Sequence, residues 1–207
     1  MGITDHRITL TAGRGNGLAL VLSGLRYGTD KPLLAAAADV LCRHGAALMT
    51  VDFAYAGDPE FSHLADEQQF HRIEADGRAL LAQAVARCGP GPLWIAGKSL
   101  GTVAMGGMLA APAPPRVRWL WLTPSLSGTR LASQMVLCAG PSLSLIGSRD
   151  PSVALTRAPA YRDRPGMTHH ECTGVDHGWT HEAGAAQTLQ AEAWAAARIA
   201  EWSEAHG

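Results

Sequence analysis

The chain carries little charge and almost none in excess. Only 17% of its 207 residues are charged, and they nearly cancel to a formal net charge of −1. Such a surface has no overall field to recruit nucleic acid or an anionic membrane. Cysteine is scarce too. The four present, Cys42, Cys88, Cys138 and Cys172, are scattered without a Cys-x-x-Cys pair. That spacing argues against a zinc cluster and fits small, reduced, buried side chains. No apolar stretch approaches the ~18 residues that span a bilayer. The opening MGITDHRITL lacks the apolar core of a signal peptide, and His6 stands where a myristoylation signal needs Ser or Thr. The expectation is a cytoplasmic protein with neither a membrane nor a nucleic-acid partner.

What the chain does have is a hydrophobic content of 47%, enough at this length for one buried core. A first strand ends at Gly13-Arg14-Gly15-Asn16-Gly17, read as a hairpin turn into the buried strand LALVLS (18–23). A helix follows, with Asp30 near its cap and Pro32 in its first turn. Then come a strand, ALMTVDF (47–53), a long polar loop from Ala54 to Ala65, and a helix with Phe70, Ile73, Leu80, Leu81 and Ala84 on one side. Further strands are expected at 92–96, 117–122, 142–147 and, more weakly, 167–172. Helices are expected at 100–110 and 131–137, and at the C-terminus, where Ala191, Trp194, Ala195, Ile199 and Trp202 share a face. This alternation predicts an α/β architecture: one three-layer domain over residues 1–207, a mostly parallel sheet with helices on both faces and no separate lid domain.

AGKSLG, residues 96–101, can be read two ways. A phosphate-binding loop requires Gly-x4-Gly-Lys-Ser/Thr, because four residues curl their N–H groups around the phosphates. Here five residues, Pro92 to Ala96, separate Gly91 from Gly97, and they read as a buried strand. The same letters contain Gly-x-Ser-x-Gly, the strand-to-helix turn whose small flanking residues let a serine stand in a strained conformation above the sheet edge. Gly97 and Gly101 meet that need, so Ser99 is the candidate nucleophile.

A serine nucleophile needs a base, and the base needs an orienting acid, each just beyond a later strand. SLSLIGSRDP places Asp150 directly after a strand, and TGVDHGW places His177 between the last strand and the final helix. The order Ser99, Asp150, His177 is the one expected on such a sheet. Asp176 competes for the acid but adjoins the histidine, and adjacent side chains seldom face each other. His177 and His181 have metal-pair spacing without the glutamate that metalloproteases place between such histidines. His169 and His170 fall in or before the last strand.

Through GKSLG, GSRDP and VDHGW the sequence resembles the α/β-hydrolase family, from LVLSGLRYG to DHGW. Its shortness is similar to that of compact, lidless members, including the dienelactone-hydrolase-like branch. The resemblance implies Ser99 as nucleophile, Asp150 as triad acid and His177 as general base, with an oxyanion hole from the backbone N–H groups of Leu25 and Leu100. Ser23 stands where many members have histidine, a change that leaves the Leu25 donor intact.

The expected function is a serine esterase or thioesterase acting on a small acyl substrate, with no metal or organic cofactor. Arg26, Tyr27 and Trp179 are candidate substrate contacts, and Arg26, Lys98 and Arg149 together hint at an anionic substrate. Two alternatives stay open: an acyltransferase, cyclase or lyase on the same scaffold, and a non-catalytic binding or scaffold protein.

Overall fold

In a computed structural model of the chain, residues 6–111, 116–127, 130–136 and 138–207 are described. Seven strands form one sheet: β1 (Arg7–Thr11), β2 (Leu18–Leu22), β3 (Ala47–Asp52), β4 (Leu93–Ser99), β5 (Val117–Pro124), β6 (Ser142–Gly147) and β7 (Met167–Cys172), in the order β1-β3-β2-β4-β5-β6-β7. Only β1 runs antiparallel to its neighbour. The helices are α1 (Pro32–Arg43), α2 (Pro59–Ser62), α3 (Asp66–Arg87), α4 (Leu100–Leu109), α5 (Leu131–Val136), α6 (Val153–Thr156), α7 (Pro159–Arg162) and α8 (Ala185–His206). No helix among the described residues is long and apolar enough to cross a membrane. The expected last residue of α5, Leu137, lies outside the described residues.

The period of two in the strands divides the core. Leu18, Leu20 and Leu22 of β2, Leu93 and Ile95 of β4, and Trp119 and Trp121 of β5 pack with α3, α4 and α5. Ala19 and Val21, Trp94 and Ala96, and Leu120 and Leu122 face the opposite layer, made by α1 and α8. Strands covered on both faces are buried throughout, so β2 reads as an unbroken hydrophobic run, while β6, equally buried, alternates serine with leucine, and Ser144 meets the Tyr161 hydroxyl at 2.8 Å. Edge strand β1 is mostly exposed.

Two expectations need correction. Gly13–Gly17 is not a hairpin turn, because β1 pairs with β3 and not with β2. β2 already has β3 and β4 on its two sides, so no ladder edge remains for β1. The glycine segment instead lies on the α1–β3 turn, with the Gly15 N–H donating to the Gly45 carbonyl at 2.8 Å. Asp30 immediately precedes the α1 cap, as expected. Lys31 occupies the cap position, and the Leu33 N–H is satisfied by the Tyr27 hydroxyl at 3.0 Å. The 54–65 segment is more ordered than a loop: it holds a 3-10 turn at Tyr55–Gly57 and then α2, capped by Asp58. Arg72 pairs with Asp58 at 3.0 Å and lies over the Tyr55 and Phe61 rings, a side-chain arrangement that local composition does not encode.

The chain passes from β2 to β3 on one side, then returns to β4 on the other. A crevice therefore opens beyond the C-terminal ends of β2 and β4, where parallel α/β sheets bind ligands.

At the far edge, His169 of β7 contacts the Ser144 hydroxyl at 3.2 Å and packs edge-on to Tyr161. Burial pushes its pKa down from 6.5 to about 4. Between those values the unfolded chain binds the proton and the folded one does not. Stability should therefore fall as pH drops through that window, by up to about 1.4 kcal/mol per unit. In His169→Gln the decline in melting temperature between pH 6.5 and 4 should be shallower, as read by scanning calorimetry; an unchanged slope would rule this contribution out.

Candidate active site

β4 ends in Gly97-Lys98-Ser99 and α4 begins at the next residue. Ser99 stands at φ 52°, ψ −116°, a conformation that costs a non-glycine residue about 1–3 kcal/mol. The flanking glycines make it possible. A Cβ on Gly101 would come within 2.7 Å of the Leu22 carbonyl oxygen, and one on Gly97 within 2.6 Å of the Met105 sulfur. Helix and strand thus approach closer than any side chain allows. A register shift against β5 at Lys98/Ser99 accompanies the turn. Thr102 braces it, its hydroxyl donating to the Ser99 carbonyl at 2.5 Å and accepting from the Ser125 N–H at 3.1 Å.

The turn directs the Ser99 hydroxyl to His177, with Oγ 2.8 Å from Nε2. The other ring nitrogen, Nδ1, is 2.6 Å from Asp150 Oδ2. Asp150 leaves β6 through the Gly147–Asp150 turn; its side chain has no exposed surface, and its second oxygen accepts the Ser152 N–H at 2.8 Å. The competing carboxylate is engaged elsewhere: Asp176 accepts the Thr180 N–H at 2.9 Å and shapes the histidine loop. The three residues singled out from separate motifs therefore meet in one hydrogen-bonded line.

Gly24 packs against the Ser99 turn, where an added Cβ would lie 3.5 Å from that of Ser99. Leu25 follows it on the exposed rim, and Leu100 opens α4. The loop carrying Gly24 is moored by Ser23, whose hydroxyl accepts the Phe53 N–H, and by Asp52, which takes the Thr29 N–H at 2.7 Å and the Arg7 guanidinium. That guanidinium helps hold the Asp52 carboxyl below its ordinary range against the opposing effect of burial.

The other candidates fall in different places. Arg26 is exposed, and Arg149 makes an exposed pair with Glu182 at 3.4 Å. Trp179 is in the core under the α1–α8 layer and not on a solvent-facing wall. Tyr27 is partly buried, its hydroxyl engaged at α1. Lys98 points inward: its Nζ donates to the His177 carbonyl at 2.8 Å and sits 4.4 Å from the Tyr27 ring centre. Burial lowers its pKa to about 8, against the opposing effect of Asp150 and Asp176. His181 accepts the Ala183 N–H, and no group of three His, Cys, Asp or Glu among the described residues could hold a metal ion.

Sequence reasoning missed Ser125, whose hydroxyl lies 3.4 Å from Ser99 Oγ. Its approach depends on the register shift of β4 against β5 and on Thr123 at φ 43°, neither of which is a local sequence signal. Also missed was a cavity of about 430 Å³ between α3, α4 and α5, with Phe70, Val103 and Leu131 beside Glu74, Arg130 and Gln134. Val103 is one helical turn from Ser99.

Among solved structures, Est1E from Butyrivibrio proteoclasticus, determined with ferulic acid bound, superposes over 97% of this chain and 95% of its own, with TM-score 0.72 at 13% identity. The chain has the α/β-hydrolase fold. An α/β serine hydrolase homologue from Coxiella burnetii matches over 93% of this chain and 91% of its own (TM-score 0.64, 12% identity). A proposed dienelactone hydrolase from Klebsiella pneumoniae matches over 95% and 98% (TM-score 0.63, 15% identity). No protein-family model matches the sequence, and no curated protein does. The likeness is one of α/β-hydrolase fold, carried by geometry rather than by sequence.

The close approach at the turn is directly testable. Gly101→Ala should push α4 away from β2, lowering unfolding free energy by about 1–3 kcal/mol in denaturant titration. Ala104→Gly, deeper in the same helix, lacks that clash and should cost about 1 kcal/mol from propensity together with the loss of one buried methyl group. Equal tolerance of alanine at 101 would contradict the packing described.

Proposed function

We propose that the protein is a serine hydrolase cleaving a carboxylic ester or thioester through an acyl-enzyme on Ser99. The observation that carries this reading is the unbroken Asp150–His177–Ser99 line, with contacts of 2.6 and 2.8 Å, ending at a strained turn in the crevice. Ser99 Oγ attacks the acyl carbon and its proton passes to His177 Nε2. Asp150 holds the ring through Nδ1 and stabilises the imidazolium that forms. The carbonyl oxygen becomes an oxyanion received by the Leu25 and Leu100 N–H groups, the second at the start of α4, where the helix field favours negative charge. His177 then protonates the leaving group, and in the second half it takes a proton from water, which attacks the acyl carbon and frees Ser99.

Hydrolysis is favoured over acyl transfer because the site is wet: the His177 side chain is 37% exposed, so water reaches the base directly. The cavity beside Val103 suits one apolar substituent of the substrate. Its carboxylates, Asp66, Glu67 and Glu74, outnumber its one cation, Arg130, which favours an uncharged group over an anion there. The fold neighbours Est1E and the proposed dienelactone hydrolase are in keeping with ester chemistry.

A fluorophosphonate should label the folded protein once, at Ser99, and Ser99→Ala should abolish the mass increase. Labelling of a different serine, or none, would remove the proposal. Asp150→Asn should fold and lose about a thousandfold or more in kcat on an ester substrate, because the amide favours the wrong imidazole tautomer. Asp176→Asn should stay within roughly tenfold of the parent, since its carboxylate only shapes the loop. The reverse ranking would reassign the acid.

A further inference from the structure

The lysine that made AGKSLG look like a phosphate loop has no part in the chemistry above, yet it is one of the most completely buried side chains in the protein. A buried ammonium is costly unless its surroundings return what water supplied. Lys98 has two partners: the His177 carbonyl at 2.8 Å and the face of Tyr27 at 4.4 Å, a cation–π contact in a desolvated place. Tyr27 is held as a neutral phenol, its pKa raised mainly by burial. One ammonium thus joins the segment after β2, the end of β4 and the histidine loop. Lys98 is 2% exposed and its ammonium is turned to the interior, so it lies beneath the crevice and not on its surface.

Charge gives this position its meaning. The Asp150 side chain is fully buried, and a base must be neutral before it can take the serine proton. In that resting state the carboxylate has no formal positive charge on its hydrogen-bonded partner. A buried carboxylate so placed draws a proton onto the adjacent imidazole, since the ion pair answers its charge. Lys98 attracts both Asp150 and Asp176 and supplies that charge without protonating the base. The groups facing it are Asp150 from the loop after β6, Asp176 and His177 from the histidine loop, and Tyr27 from the loop after β2; Glu192 of α8 and Asp30 act on Tyr27 in turn.

We infer that Lys98 is a positioning residue: its ammonium clamps the His177 backbone and offsets the Asp150 charge beside the imidazole. The catalytic consequence rests on the proposed serine chemistry, whereas the effect on the His177 proton does not. The test compares wild type with Lys98→Met, which keeps the packing, and Lys98→Gln, which keeps a donor for the His177 carbonyl without the charge. Folding is checked by thermal melts, and Lys98→Gln carries the test if the methionine variant does not fold. The His177 ring is titrated by NMR, its signal identified by its loss in His177→Gln.

In both neutral variants the His177 midpoint should move up by roughly one pH unit, the size expected for removing a nearby charge at intermediate dielectric. Fluorophosphonate labelling at pH 6.5 should slow by roughly fivefold to tenfold, as the neutral fraction of the base falls. The deficit should shrink towards pH 8.5, more completely for Lys98→Gln than for Lys98→Met. A lysine that merely fills space would change melting temperature and leave the midpoint where it was; an unmoved or lowered midpoint in a folded variant overturns the inference. If wild type fails to label while the midpoint still moves, the serine chemistry falls and the electrostatic role of Lys98 stands.

Discussion

The structure depends on one close approach, that of α4 to the C-terminal ends of β2 and β4. Gly97 and Gly101 bring backbone to backbone at distances no Cβ permits, and Ser99 is held between them in a conformation serine avoids. The α4 N-terminus therefore opens beside the crevice, Gly24 can lie against the turn, and the Ser99 hydroxyl can reach a histidine 78 positions later in the chain. A single methyl group at either glycine would separate these parts.

The rest of the molecule keeps that strained turn from relaxing. Two apolar layers cover the sheet, and alternate residues of each central strand belong to different layers. A rotation or slip of β4 would thus expose Trp94 or bury polar groups elsewhere. Thr102 links the turn to β5, while Asp52 and Ser23 fasten the adjoining loop to β3. Strain at Ser99 is sustained because its neighbours are fixed independently of it.

Buried charge is handled by the same economy of contacts. Asp150 is enclosed but hydrogen-bonded through both oxygens, to His177 and to the Ser152 N–H. Lys98 is enclosed with a carbonyl on one side and an aromatic face on the other. Two opposite charges thus lie beside a partly exposed imidazole. Of the three basic residues singled out for an anionic substrate, Lys98 faces the interior and Arg149 is paired at the surface.

By itself the sequence determined the α/β alternation, the boundaries of β6 and β7, and the segments bearing Ser99, Asp150 and His177. These signals are local: apolar runs have a period, glycines flank a strained serine, and polar residues follow strand ends. The resemblance carried by GKSLG, GSRDP and VDHGW extended that reading to the whole fold. Pairing was not legible, because the destination of β1 depends on which ladder edge remains once β2 is enclosed, a property of the assembled sheet. Nor was the direction of Lys98, Trp179 or Ser125. A lysine at a strand-to-helix turn is ordinarily solvated; only the tertiary structure sets Tyr27 and the His177 carbonyl around it. Residues far apart in sequence acquire a shared dielectric and a fixed distance only when the layers close, and those two quantities decide what a charged side chain does.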